Sequence, residues 1–314
     1  MPDLLVLAPL PDFLSGPLHQ VFVCHDYFHA ADKTALLAQC GASIRAVVGA
    51  GGTSYNEALL ASLPNVEIIS VFGVGYDGVA LAYCKQRGIR VTNTPDVLTE
   101  DVADTALAMV LMTSRKLVEA NRFLHNGMWL QKQFDLANKA GGKRAGIVGL
   151  GRIGKAIAQR LAAMEMEIGY HGRSLQLEEP YDFFESLTEM AAWCDFLIVA
   201  CPGGEATRNL INADVLGALG AKGTLINIAR GSIVDESALI HALQNNIIKA
   251  AGLDVFENEP HVPAELLAME NVVLLPHVGS GTHETRRGMA DLVLRNLTAH
   301  FAGQPLLTLV PELR

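Results

Sequence analysis

Residues 145–164 read AGIVGLGRIGKAIAQRLAAM and are the most informative stretch for the fold of this chain. It begins as a short apolar strand, turns on Gly149, Gly151 and Gly154, and continues with the periodicity of a helix. In dinucleotide-binding units, a glycine-rich turn after a strand lets the backbone approach a pyrophosphate, and the helix that follows presents its N-terminus to the phosphates. The stretch therefore predicts a dinucleotide site at these three glycines.

Similar apolar runs, rich in Val and Ile, alternate with helical segments on both sides of this stretch. The first set of runs covers 4–8, 21–24, 45–50, 66–72 and 89–93, and the second covers 144–150, 167–171, 195–200, 223–229, 249–255 and 271–276. Nearly continuous apolar strands separated by helices are typical of parallel sheets covered on both faces. The sequence predicts an α/β fold with two doubly wound, Rossmann-like domains.

Two helical segments, one near the middle and one near the end of the chain, indicate that one domain is discontinuous. A long helical segment from about 100 to 126 separates the two sets of strands, and an amphipathic segment at 283–302 has no strand after it. We expect that last segment to pack on the first unit. This gives a flavodoxin-like substrate-binding domain at 1–95 and 284–314, with a dinucleotide-binding domain inserted at 96–283.

Composition excludes several classes of function. The 314 residues are 50% hydrophobic and carry a net charge of −9, which argues against a nucleic-acid surface. Five scattered cysteines without CxxC spacing predict free thiols rather than disulfides or a metal site. No apolar run is long enough to cross a bilayer and the N-terminus has no basic leader region, so we expect a cytoplasmic protein. A small anionic substrate remains compatible with this charge.

The second strand of the dinucleotide unit lacks the acid that usually binds the ribose 2′-hydroxyl. Residues 168–176 read IGYHGRSLQ and contain no carboxylate. Arg173 and Ser174 can bind a 2′-phosphate, and Gly172 adds room and a backbone donor. The segment favours NADP(H), with NAD(H) as a weaker cofactor. The alternative is that Arg173 is an ordinary surface arginine.

Three later strands end in chemically informative residues. Arg230 follows one strand, Asp254 with Glu257 and Glu259 follows the next, and His277 follows a third. Ligands of open α/β sheets bind beyond the carboxyl ends of the strands. A cation, a carboxylate and an imidazole at that edge could therefore share one site with the cofactor.

At these residues the sequence resembles the D-isomer-specific 2-hydroxyacid dehydrogenases, and most closely their NADPH-dependent glyoxylate/hydroxypyruvate reductase branch. The matching pieces are SVFGVGYDGV (70–79), NTPDVLTEDVADTALAMVL (93–111), GIVGLGRIG (146–154), NIARGSIVDE (227–236), GLDVFENEP (252–260) and PHVGSGTHETR (276–286). They run over most of the chain in the order and spacing of the family.

The resemblance implies three catalytic residues. Arg230 would bind the substrate carboxylate and polarise the ketone, and His277 would be the proton donor in reduction. Glu259 would hydrogen-bond the imidazole, and its place directly before a proline distinguishes it from Glu257. These residue types suit the reaction, because arginine offers a planar fork to a carboxylate and a histidine next to a carboxylate can donate a proton near neutral pH.

The resemblance also implies the binding residues. Substrate contacts would come from Gly52 and from the backbone of Val74 and Gly75, whose glycine-rich loop can bind an anion. Besides Gly172, Arg173 and Ser174, the residues that would line the cofactor site are Gly149, Leu150, Gly151, Arg152, Ile153, Gly154, Pro202, Thr207, Ile228, Ala229, Asp254 and Gly279. A purely structural Asp254 is the alternative. The stretch 121–130 resembles the start of the family's dimerisation arm, which implies a homodimer.

The leading hypothesis is an NADPH-dependent reductase that converts glyoxylate and hydroxypyruvate to D-2-hydroxy acids. Reduction of bulkier or aromatic 2-oxo acids, and an NAD-linked D-2-hydroxyacid dehydrogenase, are the alternatives within this fold. An NAD(H)-sensing corepressor is the alternative from a different class, and it would keep the same three catalytic residues.

Overall fold

A computed structural model describes all residues from Met1 to Arg314. The chain forms two units, one made of Met1–Leu98 with Thr282–Arg314 and the other of Thr99–Gly281. Each passage from one unit to the other therefore falls where a long helix begins, a few residues from the boundaries expected at 95/96 and 283/284. No helix is both long enough and apolar enough to cross a membrane.

Every strand of the two sheets runs parallel to its neighbours. The strands are β1 (Asp3–Val6), β2 (Val23–Asp26), β3 (Ile44–Ala50), β4 (Ile68–Phe72), β5 (Arg90–Thr92), β6 (Arg144–Val148), β7 (Glu167–His171), β8 (Asp182–Phe184), β9 (Phe196–Val199), β10 (Thr224–Asn227), β11 (Ala250–Leu253) and β12 (Val272–Leu274). Most of them are buried on both faces, which explains their continuous apolar sequence.

The helices fill the connections that parallel strands require. They are α1 (Asp12–Val21), α2 (Lys33–Cys40), α3 (Glu57–Ala61), α4 (Leu81–Arg87), α5 (Thr99–Arg115), α6 (Leu117–His125), α7 (Arg152–Ala162), α8 (Leu187–Trp193), α9 (Ala213–Leu219), α10 (Glu236–Gln244), α11 (Ala264–Ala268) and α12 (His283–Phe301). Short 3₁₀ turns lie at Tyr27–His29, Met128–Leu130, Glu205–Thr207, Gly231–Ile233 and Pro311–Leu313.

The first unit has the strand order β2-β1-β3-β4-β5. This is the flavodoxin-like order, which confirms the fold class expected for this part of the chain. The last helix, α12, packs on β4 and α1. Its Asn296 is completely buried and hydrogen-bonds the segment that follows the helix, so the end of the chain is fixed to this unit.

The second unit has the order β12-β11-β10-β9-β6-β7-β8. Counted from β6, this is the Rossmann order 3-2-1-4-5-6 with one more parallel strand, and the order reverses at the β6/β9 pair. The glycine turn at 149–154 follows β6, so it lies at the reversal. On one face the core is built from Leu197, Leu225 and Leu253 of three adjacent strands.

One prediction about local structure is wrong, and one strand was not predicted. The segment 100–126 is not one helix, because Lys116 has a left-handed backbone with φ of 52° that separates α5 from α6. The strand β8 was not predicted, because Asp182–Phe184 is short and only partly buried. It lies at the edge of the sheet, where strands need little apolar sequence.

Candidate functional site

The carboxyl ends of β10, β11 and β12 are adjacent along one edge of the seven-stranded sheet. Arg230 follows β10, Asp254 follows β11 directly, and His277 follows β12. Since the strands are parallel and neighbouring, their ends bring a cation, a buried carboxylate and an imidazole to the same edge. The structure thus places these three residues where the sequence analysis expected them.

His277 and Glu259 form a hydrogen-bonded pair. The distance from His277 Nδ1 to Glu259 Oε2 is 2.7 Å, and both side chains remain partly exposed. Burial alone would raise the pKa of Glu259, but the hydrogen bond and charge of His277, the Phe256 N–H and the charge of Arg230 together lower it below its ordinary value. An ionised Glu259 can therefore fix the orientation of the ring and leave Nε2 for other chemistry.

The second acid in this loop has a different neighbour. Glu257 donates its backbone N–H to Glu236 Oε2 at 3.3 Å, whereas Glu259 bonds the imidazole. Glu259 also accepts the Phe256 N–H at 3.0 Å, which holds its carboxylate in place. Of the two acids that the sequence offered, the geometry selects Glu259 as the partner of His277.

Asp254 organises the turn that carries His277. Its side chain is buried, and its two carboxylate oxygens accept the N–H groups of Val278 at 2.7 Å and Gly279 at 2.8 Å. The N–H of His277 also donates to the Asp254 carbonyl at 2.9 Å, and His277 itself has a left-handed φ of 54°. Burial raises the pKa of Asp254, although these N–H groups act in the opposite direction. These bonds show that Asp254 holds the turn of His277, and the cofactor contact implied by the family resemblance stays a prediction.

The loop that carries Arg230 is fixed by two neighbours. The buried Asn227 accepts the Ala229 N–H at 3.0 Å and donates to the Arg230 carbonyl at 2.9 Å. A Cβ at Gly231 would collide with the Phe256 carbonyl, so only glycine permits this approach of the two loops. Asn227 was not among the predicted site residues, although its position at the last residue of the strand was a usable signal.

The glycine turn after β6 needs its glycines for three different reasons. Gly149 has φ of 95°, and a Cβ there would lie 2.7 Å from Cys201 Cα. A Cβ at Gly154 would collide with the Gly149 carbonyl, whereas one at Gly151 would meet nothing within 4 Å. No side chain caps the start of α7. The turn therefore leaves open space in front of an uncapped helix N-terminus, an arrangement that fits a phosphate group.

Gly172, Arg173 and Ser174 follow the neighbouring strand β7. The Gly149 N–H donates to the His171 carbonyl at 2.8 Å, so the glycine turn and this segment are joined at their starts. Arg173 and Ser174 are exposed, and Gly172 has nothing near its missing Cβ. His171 Nδ1 bonds the Phe184 carbonyl at 2.9 Å, which ties this strand end to β8.

Gln176 is a residue that the sequence analysis missed. Its side-chain amide donates to the Leu150 carbonyl at 2.9 Å, and its backbone N–H donates to the Tyr170 hydroxyl at 2.7 Å. The segment after β7 is thereby folded back onto the glycine turn. Nothing in the residue type marks this role, because glutamine is common at exposed positions.

The remaining expected cofactor residues lie at the same edge of this sheet. Thr207 donates its hydroxyl to the Pro202 carbonyl at 2.8 Å, closing the loop after β9. Leu150 and Ile228 are buried, Ala229 is partly buried, and Arg152 and Ile153 are the first residues of α7.

The expected substrate contacts lie in the first unit, at the carboxyl ends of its strands β3 and β4. Gly52 follows β3 and has nothing near its missing Cβ, while a Cβ at Gly73 would lie 3.1 Å from Gly51 Cα, so the two loops touch. Val74 and Gly75 follow β4, and their backbone N–H groups donate to no acceptor within the chain. Two successive N–H groups of this kind can bind an anion.

Known proteins of one family are similar to this chain over most of its length. The family model described as the D-isomer specific 2-hydroxyacid dehydrogenase, NAD binding domain, matches residues 107–279. A glyoxylate/hydroxypyruvate reductase A of Arabidopsis thaliana is 49% identical over 304 residues, which is 97% of each chain. The chain belongs to the D-isomer-specific 2-hydroxyacid dehydrogenase family.

Other members of this family are almost as similar. The hydroxyphenylpyruvate reductase of Plectranthus scutellarioides is 48% identical over 97% of each chain. The structure of an NADPH-dependent glyoxylate/hydroxypyruvate reductase of Sinorhizobium meliloti, solved with NADP and malonate, has a TM-score of 0.92 at 43% identity, and the match covers 99% of this chain and 97% of that one. The resemblance drawn from the sequence motifs, and the α/β fold expected with it, are confirmed.

Proposed function

We propose that this 2-hydroxyacid dehydrogenase is an NADPH-dependent reductase of small 2-oxo acids, with glyoxylate and hydroxypyruvate as substrates and D-2-hydroxy acids as products. The observation that carries the proposal is the 2.7 Å pair of His277 and Glu259 at the strand ends next to Arg230. Reductases of these two substrates among the similar chains, including the one solved with NADP, support it.

His277 is proposed as the proton donor. Reduction of a ketone places negative charge on its oxygen, and a protonated imidazole can neutralise that charge by giving up its Nε2 proton. Glu259 holds Nδ1, so the ring has one available nitrogen and a fixed orientation. Asp254 fixes the turn that carries His277 and so helps to hold the ring in position.

Arg230 is proposed to bind the carboxylate of the 2-oxo acid and to polarise its ketone. The guanidinium is permanently charged and can make two parallel hydrogen bonds to a carboxylate. The N–H groups of Val74 and Gly75, together with Gly52, are proposed as further contacts to the substrate. They need no side chain, because a backbone N–H is itself a donor.

The residues at the glycine turn and after β7 fit a phosphorylated dinucleotide. When bound, NADPH supplies the hydride that the ketone carbon receives. Gly149, Gly151, Gly154 and the N-terminus of α7 would hold its pyrophosphate. Arg173 and Ser174, both exposed and without a carboxylate beside them in the segment 168–176, would hold its 2′-phosphate. The other cofactor residues named above would line the rest of this site.

Steady-state kinetics test the proposal. We expect turnover of glyoxylate and hydroxypyruvate with NADPH, and a lower kcat/KM for each with NADH. The second candidate function is reduction of aromatic 2-oxo acids, favoured by the 48% identity to a hydroxyphenylpyruvate reductase. It replaces the first if hydroxyphenylpyruvate has the highest kcat/KM. Absence of turnover with glyoxylate, hydroxypyruvate and hydroxyphenylpyruvate contradicts both candidate functions. The NAD(H)-sensing corepressor is then the alternative that is left.

The cofactor preference has its own test in Arg173→Ala. Since the 2′-phosphate is the only part of NADPH that NADH lacks, loss of the guanidinium should reduce kcat/KM for NADPH by about tenfold and leave that for NADH nearly unchanged. Equal losses with both cofactors would mean that Arg173 does not contact the phosphate. Arg144→Ala is a suitable control, because that arginine lies at the opposite end of the sheet, paired with Glu167.

We also propose that the enzyme is a homodimer. The segment from α6 onward exposes large apolar side chains, among them Leu124, Trp129, Leu130 and Leu136, the last two almost completely. A contiguous stretch of this kind is unusual for a surface that faces only water. Light scattering after size exclusion should give twice the 33.6 kDa of the chain. A monomer at micromolar concentration would contradict the proposal.

A further inference from the structure

We propose that Asn93 is a positioning residue for the loop Gly73–Gly75, here called the anion loop, and that the C-terminal tail Leu307–Arg314 holds Asn93 in place. The inference rests on the proposed function, in which the anion loop binds the substrate carboxylate. All of the residues concerned belong to the first unit.

Two hydrogen bonds fix two successive peptide planes of the anion loop. The side-chain amide of Asn93 donates to the Val74 carbonyl at 2.8 Å, and the backbone N–H of Thr94 donates to the Gly73 carbonyl at 2.9 Å. In a trans peptide, the carbonyl of one residue and the N–H of the next lie in one plane and point in opposite directions. Holding the carbonyls of Gly73 and Val74 therefore directs the N–H groups of Val74 and Gly75 away from Asn93 and Thr94.

These two N–H groups are the ones that have no acceptor within the chain. The loop contains two glycines, which permit many backbone conformations. Without the bond from Asn93, the Val74–Gly75 plane can rotate and its N–H no longer has a fixed direction. Binding an anion would then require the loop to be ordered first, which weakens affinity.

Asn93 is itself held by the C-terminal tail. Thr308 donates its hydroxyl to the Asn93 carbonyl at 2.6 Å, and the Asn93 N–H donates to the Thr308 carbonyl at 3.4 Å. The buried Asn296 of α12 fixes Thr308 in turn, donating to its hydroxyl at 2.8 Å and accepting its N–H at 3.2 Å. A chain of partly buried hydrogen bonds thus leads from α12 through the tail to the anion loop.

A second contact joins the tail to the residue after the loop. The hydroxyl of Tyr76 donates to Glu312 Oε2 at 3.0 Å. Burial, and then the hydrogen bond and charge of Glu312, raise the pKa of Tyr76 to about 12, so the hydroxyl keeps its proton at neutral pH. The tail therefore contacts this region at two places, through Thr308 by way of Asn93 and directly through Glu312.

The central experiment is Asn93→Ala, studied in the full-length enzyme. We expect the KM for glyoxylate to rise by about tenfold, and the Kd of malonate, measured by calorimetry with NADP present, to rise by the same factor. A change of about this size is typical when one hydrogen bond is lost, here the bond from Asn93 to the Val74 carbonyl. The kcat should change by less than about threefold and the Kd of NADPH by less than about twofold, because neither the proton donor nor the glycine turn is altered.

Three further variants separate positioning from general loosening. Thr308→Val removes the hydroxyl that holds Asn93 and should raise the same two constants by about threefold, whereas Thr308→Ser keeps the hydroxyl and should restore them. Thr92→Val is the matched control, because Thr92 is a buried neighbour whose hydroxyl bonds Ser70 rather than the loop. It should lower Tm without changing either constant.

The outcomes are distinguishable from a failure of the proposed function. If the wild type reduces glyoxylate, two results overturn the positioning role of Asn93. One is an unchanged KM for glyoxylate and Kd of malonate in Asn93→Ala, and the other is an equal rise of both constants in Thr92→Val. If Asn93→Ala does not fold, Thr308→Val and Thr308→Ser decide instead. Unchanged constants in Thr308→Val then overturn the positioning role. If the wild type reduces no 2-oxo acid but binds malonate, the proposed function fails and the malonate Kd of the variants still decides the inference. If the wild type does not bind malonate either, both fail.

Discussion

The two groups of candidate site residues are built from different parts of the chain. In the second unit, the proposed roles at the edge formed by β10, β11 and β12 belong to side chains, those of Arg230, Glu259 and His277. In the first unit, the proposed role of the anion loop belongs to its backbone N–H groups and requires no particular side chain. Both groups are proposed to bind or stabilise negative charge. In one unit this depends on which side chains are present, and in the other it depends on the direction in which backbone N–H groups point.

This difference decides what a mutation can reveal. A side-chain donor is removed by a single substitution, so its function is visible in kinetics. A backbone donor survives any substitution that keeps the loop conformation, so its function is reached only through the residues that hold the loop. Substitutions at His277, Arg230 and Glu259 should therefore have larger effects than one at Val74.

His277→Ala should cause the largest loss. A general acid contributes about 10²–10⁴-fold, and we expect kcat for glyoxylate reduction to fall by about 10³-fold. The Kd of NADPH, measured by fluorescence titration, should stay within about twofold of the wild-type value. An unchanged kcat would reject the role of His277 as the proton donor.

Arg230→Lys keeps the charge but loses the planar fork. The kcat/KM for glyoxylate should fall by about 10²-fold, since an ammonium cannot make two parallel bonds to a carboxylate and also polarise the ketone. Lys249→Arg, at the other end of the sheet, should leave kcat/KM unchanged and serves as the control. Full activity in Arg230→Lys would show that charge alone is sufficient at this position.

Glu259→Gln should lower the maximal rate and change the acidic side of the pH profile. The hydrogen bond and charge of His277 hold the pKa of Glu259 below its ordinary value, so this carboxylate stays ionised, and holds the ring, to a lower pH than an ordinary glutamate. Since glutamine does not titrate, we expect kcat to be lower by about tenfold and the fall in rate that follows protonation of Glu259 at acidic pH to disappear. Profiles of kcat from about pH 4 to neutrality, measured for both enzymes, check this. Superimposable profiles would remove Glu259 from the mechanism.

Val74→Ala should have the smallest effect. The proposed donor is the N–H of Val74, which alanine retains, so the KM for glyoxylate should stay within about twofold of the wild-type value. A tenfold rise would mean that the side chain of Val74 contributes to binding, and the contrast drawn above would be wrong for this loop.

The sequence predicted the parts of the fold that depend on long apolar strands and glycines that cannot be replaced. Helix boundaries were predicted wrongly, or helices were not predicted, where the local sequence is compatible with more than one structure. The apolar periodicity of α5 continues into α6, so nothing in the pattern marks the left-handed backbone at Lys116. Helix α1 was not predicted because Gly16 and Pro17 lie inside it, where both residues usually disfavour a helix.

The candidate site divides in the same way. Residue types and motif positions led to Arg230, Glu259 and His277, whereas most residues that hold the loops of the site had no such signal, Asn227 at the end of its strand excepted. Asn93 and Gln176 are ordinary polar residues by type, and their bonds to backbone carbonyls of distant loops appear only in three dimensions. Asp254 was predicted at the site, yet its two bonds to the turn of His277 could not be read from a strand-end aspartate.

The contact at Gly231 has a consequence for anyone who wishes to alter this enzyme. Because a single added carbon atom at this glycine would strike the Phe256 carbonyl, the loop of Arg230 cannot be moved without moving the loop that ends in Glu259. Efforts to widen substrate scope by redesigning one loop will disturb the pair of His277 and Glu259 as well. The two loops are better exchanged together, as one cassette, than varied independently.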